Sequence, residues 1–306
     1  MYNKYSLKKL ISLGVFFVGF HALAMDKLEE ITMPEFKYED IIDGSLRLKV
    51  TNMCPFTCKF CHNEGTELPV RGGSRTSILV DPAIDQFEPV GDVKVPDIED
   101  MGDKLTISFM AQVNKFKSLG YNQVHLTGGE PSAHPHLGNL VKTFKENGFV
   151  VKMTSNGQFN PKKLESYVAA GLSGITFSIL SLDPREFLDT QLRTYKTESI
   201  ALASAKRAIE MVKKNITRAK ELGLNVKVNA IILNAEDKKR VDCIADFAQE
   251  SGVTLSLLPC VLSSDSTADD KVAMERLAFQ YALDRGARYV KTTRSLNSSS
   301  GSHRFV

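Results

Sequence analysis

The sequence predicts an α/β protein built on a partial (β/α)6 TIM-like barrel. From residue 45 to about residue 262, short runs rich in β-branched residues alternate with amphipathic helical patterns. Apolar strands separated by helices are typical of a parallel sheet that is covered on its outer face. Six such units are too few for a closed eight-fold barrel. We therefore expect an open barrel whose functional loops follow the carboxyl ends of the strands.

The strand candidates are six short segments, at 46–51, 123–127, 149–154, 174–180, 225–233 and 254–259. Lys227 and Asn229 alternate with valines on the fifth of them, so both should point into the barrel.

Two helical patterns illustrate the segments between the strands. One ends at Gly120 and carries four apolar residues on one face: Leu105, Phe109, Val113 and Phe116. The other ends at Gly223 and carries Ile209, Val212, Ile216 and Ala219.

We divide the chain into an apolar N-terminal segment (1–24), an extension (25–44), a core (45–262) and a C-terminal segment (263–306). The core carries a long insertion at 62–103, rich in prolines and acids and without periodicity, which is typical of a functional lid or of disorder. The last residues are polar and Ser-rich, and we expect a flexible tail there.

Three of the five cysteines, Cys54, Cys58 and Cys61, fall within eight residues just after the first strand. An odd and clustered set argues against a disulfide framework and for a metal-binding group. Three thiolates can hold three irons of a cubane cluster and leave the fourth iron open for a ligand. The alternative is a structural zinc site with His62 as fourth ligand, in a zinc-binding interaction protein, although no second C-x2-C pair is present.

The other two cysteines stand alone. Cys243 lies in a helical pattern, and we expect it to pack in the core. Cys260 ends the sixth strand, where it is either a thiol hydrogen donor or a packed residue.

The C-x3-C-x2-C spacing, with Phe60 before the last cysteine, resembles the signature of the radical S-adenosylmethionine (SAM) superfamily. The stretch LTGGEP at 126–131 resembles its second landmark, at the end of the second strand. The resemblance implies a [4Fe–4S] cluster on the three cysteines and bound SAM, with the Glu130 carboxylate facing the SAM ammonium group. The implied cofactor-binding residues are Phe60, Gly128, Gly129, Glu130, Pro131, Asn156 and Ser178.

Within that superfamily the chain resembles the GTP 3′,8-cyclase of molybdenum-cofactor biosynthesis. The matching stretches are LRLKVTNMC (46–54), MTSNG (153–157), FSILSLDP (177–184) and NVKVNAIIL (225–233). The resemblance implies nucleotide contacts at Arg47, Thr154 and Lys227, while His125 replaces a nucleotide-contacting arginine of that family. The family also binds a second cluster through three C-terminal cysteines, whereas here only Cys260 follows Cys243.

These features predict an enzyme that cleaves SAM reductively and abstracts hydrogen from a small, nucleotide-derived substrate, as a cyclase-like lyase would. A one-electron donor such as flavodoxin or ferredoxin is the expected partner. A peptide-modifying or natural-product enzyme and an inactive relative are open alternatives. The net charge of +3, without a dense basic stripe, predicts no nucleic-acid partner.

The N-terminal residues have the pattern of a targeting segment, which does not fit a cytoplasmic enzyme. Lysines at 4, 8 and 9 precede an apolar run at 10–24, which is typical of a signal peptide and short for a membrane span. A true start at Met25 and an anchor at the inner membrane face are the alternatives. Because an exposed low-potential cluster tolerates oxidation poorly, we expect a cytoplasmic body, with membrane contact only if residues 10–24 are retained.

Overall fold

The protein is described from a computed structural model, which covers residues 38–40, 45–61, 79–80, 107–259, 268–286, 289–294 and 302–305. Residues 1–24, most of the 62–103 insertion, His62 and Cys260 lie outside the described residues. Our expectations for those segments therefore stay predictions.

Ten strands are present in the described residues. They are β1 (Tyr38–Asp40), β2 (Ser45–Lys49), β3 (Leu79–Val80), β4 (Gln123–Thr127), β5 (Val150–Ser155), β6 (Leu172–Ile179), β7 (Asn225–Ile232), β8 (Thr254–Pro259), β9 (Tyr289–Arg294) and β10 (Ser302–Phe305).

Seven of these strands form the main sheet, in the order β3-β2-β4-β5-β6-β7-β8. All neighbours pair in parallel except the short β3, which runs antiparallel to β2. The six predicted strands are confirmed as β2 and β4 to β8. Within the described ranges they form an open sheet with β8 at one edge, as a partial barrel requires.

Helices connect the parallel strands and cover one face of the sheet. Both predicted helices are present, as α1 and α5, and their predicted apolar faces are buried at Val113 and Phe116 and from Ile209 to Ala219. The seven helices of the described residues are α1 (Ile107–Ser118), α2 (Leu137–Glu146), α3 (Lys162–Ala170), α4 (Pro184–Asp189), α5 (Glu198–Glu221), α6 (Lys238–Glu250) and α7 (Ala268–Asp284).

The core lies between those helices and every second residue of the strands. Since side chains alternate along a strand, the residues between the buried ones lie on the opposite face. That second face carries polar and basic side chains, as the sequence predicts for Lys227 and Asn229. The strand residues buried in the core are Leu46, Leu48, Val124, Leu126, Val151, Met153, Leu172, Ile175, Phe177, Ile179, Val226, Val228 and Ala230.

A second sheet of three strands places residues 38–40 beside two strands from the last twenty residues, in the order β1-β9-β10. The sequence predicts a flexible tail over the Ser-rich last residues, and this stays a prediction; the part of that tail that the structure describes, Ser302–Phe305, forms β10 and pairs antiparallel with β9. The Ser-rich composition does not reveal this pairing, because the stabilising hydrogen bonds come from a neighbouring strand rather than from local sequence. Among the described residues, no helix is long and apolar enough to cross a membrane.

Candidate active site at the carboxyl ends of the strands

The three clustered cysteines lie in the loop that continues β2 past its carboxyl end. Val50 N donates to Thr127 O at 2.9 Å, so the parallel pairing with β4 extends one step into the loop. All three cysteines are free thiols; Cys54 and Cys58 are half-buried and Cys61 is exposed. A turn closed by Cys61 N donating to Cys58 O at 3.1 Å brings the last two together.

The glycines of the 128–131 loop hold that cysteine loop by direct backbone contact. Gly129 N donates to Thr51 O and Glu130 N donates to Met53 O, each at 2.7 Å. A Cβ atom on Gly129 would collide with Met53 O, and one on Gly128, whose φ is +141°, would collide with Thr51 O. Only glycine, which has no Cβ atom, allows the backbones of the two loops to come this close. The sequence predicts these glycines as cofactor-binding; in the structure they pack directly against the cysteine loop.

Glu130 ties the same loop to the end of β5. Its side chain is buried, and its carboxylate accepts from Ser132 N at 3.0 Å, Ser155 Oγ at 2.8 Å and Asn156 N at 2.6 Å. Burial raises the pKa of this carboxyl group, against the opposing effect of those hydrogen bonds. Pro131 follows as the first residue of a short 3-10 turn. The carboxylate predicted to face SAM therefore already has three donors within the protein.

Asn156 connects β5 to the first cysteine. Its Nδ2 donates to Cys54 Sγ at 3.5 Å, while its Oδ1 accepts from Gln158 N at 3.0 Å. Helix α5 holds the rest of this turn, because the buried Asn215 donates through Nδ2 to Gly157 O and to the carbonyl of residue 159 at 2.8 Å each. The turn that carries Asn156 is therefore held by α5 as well as by the Glu130 carboxylate.

A segment that local sequence does not reveal borders the cysteine loop on its other side. Residues 190–192 follow α4, and Gln191 forms a β-bridge with Cys58. Gln191 Nε2 donates to Cys58 Sγ at 3.5 Å, and its Oε1 accepts from Thr57 N at 3.0 Å. No sequence motif marks Gln191, because it lies 133 residues from Cys58. We call residues 50–61, 128–131, 155–159 and 190–192 together the cysteine rim.

Two phenylalanines attach the cysteine loop to α4 and α5. Phe60, predicted to contact SAM, is buried and packs in a small apolar cluster with Leu180, Phe187 and Ile209. Phe56 makes an edge-to-face contact with Phe187, with ring centroids 5.3 Å apart. The position of the loop is thus set by apolar packing in addition to its hydrogen bonds.

The donor set of the cysteine rim fits an iron–sulfur cluster. Burial raises the pKa of Cys54 to about 12 and that of Cys58 to about 11, with the neighbouring thiols adding to the shift. Both are protonated at neutral pH before a cation arrives, so cluster binding must release their protons. Side-chain amides face two of the three sulfurs, and such outer hydrogen bonds orient and tune cluster ligands.

A basic inner face lies beside the rim, on the side of the sheet opposite the connecting helices. We define it by Arg47, His125, Lys152, Thr154 and Lys227. The register aligns Arg47 with His125 and His125 with Lys152 across three adjacent strands, and Thr154 aligns through β6 with Lys227. Four of these are the predicted substrate residues, which the fold brings onto one surface. Lys152 was not among the predicted substrate residues, because its alignment with His125 depends on how β4 pairs with β5, which local sequence does not determine.

His125 is the neutral member of this face. Its Nε2 lies 2.6 Å from Thr154 Oγ1. Burial, together with the charges of Arg47, Lys152 and Lys227, lowers its pKa to about 4. The ring therefore carries no charge at neutral pH.

The cations of the inner face differ in their partners. Lys152 Nζ donates to Gln123 Oε1 at 2.9 Å. Arg47 and Lys227 are exposed and have no carboxylate partner among the described residues.

Ser178, predicted to contact SAM, is half-buried and pairs in register with Asn229 on the next strand.

Cys243 is exposed, so its predicted place in the core is wrong. The buried stripe of α6 runs through Val241, Ile244, Ala245 and Ala248, and Cys243, one residue before Ile244, is turned about 100° away from it.

Within the described ranges, no three His, Cys, Asp or Glu side chains are gathered as ligands of a single metal ion.

Sequence comparison relates the chain to known proteins. The family model described as the Radical SAM superfamily matches residues 48–248 of the 306. The GTP 3′,8-cyclase of Aquifex aeolicus is 29% identical over 218 residues, which cover 70% of this chain and 55% of the cyclase. This chain spans between 49% and 61% of the length of six such curated relatives.

Solved structures share the fold at lower identity. Streptococcus suis SuiB bound to the precursor peptide SuiA has a TM-score of 0.53 and 15% identity, over 90% of this chain and 52% of SuiB. TYW1 with a lysine-pyruvate adduct has a TM-score of 0.50 and 16% identity, over 92% of this chain and 87% of TYW1. At these identities the likeness is one of fold.

Proposed function

This chain belongs to the radical SAM superfamily, and on that premise we propose an enzyme that acts on a small, anionic, nucleotide-derived substrate. The superfamily's cofactors are a [4Fe–4S] cluster and SAM, and Cys54, Cys58 and Cys61 would hold the cluster. When bound, the two cofactors supply a 5′-deoxyadenosyl radical that abstracts hydrogen from a substrate. The observation that carries the substrate proposal is the basic inner face.

Three cations on that face suit a phosphorylated ligand. Arg47 and Lys227 stand exposed, and Lys152 completes a group whose combined charge adds to the effect of burial in lowering the pKa of His125. Cations that gather on one surface repel each other, and a polyphosphate relieves that repulsion. Arginine binds phosphate oxygens through paired N–H groups, and lysine acts as a point charge.

The polar residues between these cations would hold the uncharged part of the substrate. His125 is neutral at physiological pH, so with Thr154 it offers hydrogen bonds without adding charge. Asn229 on β7 extends this polar strip and lies in register with Ser178 on β6, the residue that the resemblance assigns to SAM. Holding the substrate on rigid strands beside the cysteine rim supplies the orientation that radical chemistry needs.

We assign a cyclase-like, lyase-type reaction, supported by the similarity to GTP 3′,8-cyclases over 70% of the chain. The electron would come from a donor such as flavodoxin or ferredoxin. A reducing cytoplasm suits the half-buried free thiols of Cys54 and Cys58.

Anaerobic reconstitution tests the proposal. The protein is loaded with iron and sulfide and reduced with SAM present, and 5′-deoxyadenosine is measured with and without GTP. We expect cluster-dependent 5′-deoxyadenosine that increases when GTP is added, and GTP binding that weakens as salt is raised. Cys58→Ala is the control, since it removes one cluster ligand and should abolish cleavage.

Two results would count against parts of this proposal. Stoichiometric zinc in place of iron would overturn the enzyme proposal and support a zinc-binding interaction protein. Cleavage that does not respond to GTP, together with no measurable nucleotide binding, would overturn the substrate class and favour a peptide or natural-product substrate.

A further inference from the structure

Two cysteine sulfurs of the rim each face a side-chain amide that comes from a different part of the chain. Asn156 Nδ2 lies 3.5 Å from Cys54 Sγ, and Gln191 Nε2 lies 3.5 Å from Cys58 Sγ. Cys61 is exposed and has no such amide among the described residues. The three ligand positions therefore differ in their surroundings.

The orientation of the Gln191 amide is fixed by its neighbours. Thr57 N is a donor only, so the atom that faces it at 3.0 Å must be the oxygen. Thr190 Oγ1 donates its proton to Phe187 O at 2.7 Å, so it accepts from the Gln191 amide nitrogen at 3.0 Å. A flipped amide would set two donors against each other at Thr57, and the nitrogen must therefore face Cys58.

The amide is also held firmly in place. Gln191 and Thr190 are both buried. On either side, Lys59 N donates to Thr190 O at 2.9 Å and Leu192 N donates to Thr57 O at 2.8 Å. These bonds tie the cysteine loop to the 190–192 segment and keep the N–H group aimed at the sulfur of Cys58.

We propose that Gln191 is a positioning residue for Cys58 whose N–H···S hydrogen bond raises the reduction potential of the cluster bound there. The inference rests on the proposed function, because it requires the cluster. Reduction adds negative charge that is shared with the cysteine sulfurs, and a donor aimed at a sulfur stabilises that charge. Asn156 acts in the same direction at Cys54, while Cys61 has no amide donor in the described part of the chain.

The test is the midpoint potential of the reconstituted cluster, measured by an electron paramagnetic resonance titration without SAM or substrate. Gln191→Glu keeps the acceptor for Thr57 N, replaces the donor to Cys58 and adds a negative charge. Gln191→Met removes the donor with little change of volume. We expect both variants to have a more negative potential than the wild type, with Gln191→Glu lower than Gln191→Met.

We expect the Gln191→Glu shift to reach about tenfold in the oxidised-to-reduced ratio at a fixed potential, which is about 59 mV for one electron. Leu192→Ala is the matched control, because this neighbouring side chain is 57% exposed and its backbone bonds remain. Its potential and iron content should equal those of the wild type.

An unchanged potential in a Gln191 variant with full iron content would overturn the inference. Equal loss of iron from both Gln191 variants, with unshifted potential in the cluster that remains, would assign Gln191 a structural role and also overturn it. A wild type that binds the cluster but does not cleave SAM would defeat the proposed function and leave this inference standing. A wild type that binds no cluster would defeat both.

Discussion

The cysteine rim and the basic inner face adjoin on one sheet, yet they differ in how their polar groups are satisfied. In the rim, the Glu130 carboxylate, the Asn156 amide and the Gln191 amide all find partners within the protein. On the inner face, Arg47 and Lys227 are exposed without carboxylate partners in the described part of the chain. These three side chains of the rim are thus held in place before any cofactor binds, although Asn52 Oδ1 and Thr57 Oγ1 in the same rim have no hydrogen-bond partner among the described residues. The exposed cations of the inner face are open to a ligand.

This difference predicts separate consequences for variants of the two regions. Changes at Gly129 and Glu130, which hold the cysteine loop through buried contacts, should lower the free energy of unfolding. Changes on the inner face should leave it unchanged and alter ligand affinity.

The largest effect is expected for Gly129→Ala. The new Cβ would lie 2.7 Å from Asn52 O and closer still to Met53 O, so the cysteine loop must move. We expect a loss of about 3 kcal/mol in the free energy of unfolding, measured by urea titration, and reduced iron content after reconstitution.

Gly138→Ala is the control for this prediction, because nothing lies within 4 Å of its Cβ and it sits in helix α2. Alanine in a helix is favoured over glycine, so this variant should be at least as stable as the wild type. Equal behaviour of the two variants would contradict the importance of the contact between the loops.

Glu130→Gln should come next. The amide that replaces one carboxylate oxygen sets a donor against Asn156 N–H or against the donors of Ser132 and Ser155. We expect a loss of about 1–3 kcal/mol in the free energy of unfolding, measured by the same titration. Glu146→Gln, which alters an exposed pair with Lys142, should cost less than about 0.5 kcal/mol. A Glu130 variant as stable as its control would show that the network is not needed.

His134 lies in the turn that follows Pro131, beside the cysteine rim. Its titration should make the free energy of unfolding depend on pH. Burial lowers its pKa to about 4, and its Nδ1 accepts from His136 N at 3.1 Å, which requires that nitrogen to be unprotonated. The folded pKa is below the unfolded value, so the unfolded state binds more protons. The stability that depends on this ring is therefore full above about pH 6.5 and is lost as the pH falls towards 4.

We expect the wild type to lose about 1–2 kcal/mol through His134 between pH 7 and pH 5. His134→Asn keeps an acceptor for His136 N and cannot titrate, so its stability should depend less on pH over that range. Urea titrations at the two pH values measure the difference. Parallel pH profiles for the two proteins would rule out this role of His134.

On the inner face, Lys152→Met should weaken GTP binding about fivefold to tenfold, or about 1–1.4 kcal/mol, without changing the unfolding midpoint. The physical reason is the loss of one of three cations around His125. Isothermal titration calorimetry at two salt concentrations measures the affinity and its screening. Lys142→Met removes an exposed lysine from helix α2 and should have no effect. A lower free energy of unfolding for Lys152→Met would contradict this prediction and show that Lys152 stabilises the fold, as the buried contacts of the rim do.

The smallest effect is expected for His125→Arg. Because the pKa of His125 is about 4, the wild-type ring adds no charge at neutral pH. A permanent cation at this position should raise GTP affinity a few-fold, about 0.5–1 kcal/mol, despite the loss of the 2.6 Å contact with Thr154. His125→Gln is the neutral control and should not raise affinity in the same calorimetric titration. Equal affinities for the two variants would indicate that phosphate binds elsewhere on the face.

Features that depend on local spacing could be predicted from the sequence. The cysteine triplet, the LTGGEP stretch and the alternation of strands and helices all appear within short windows, and the six parallel strands are confirmed with boundaries within two residues. Lys227 and Asn229 share a face because side chains alternate along any strand.

Features that depend on register and on contacts between distant segments appear only in the folded chain. Lys152 joins Arg47 and His125 through the pairing of three strands, and Gln191 reaches Cys58 across 133 residues. The exposure of Cys243 depends on which stripe of α6 faces the sheet. Local sequence does not encode these relations, because the energy that fixes them comes from burial and hydrogen bonds between elements far apart in the chain.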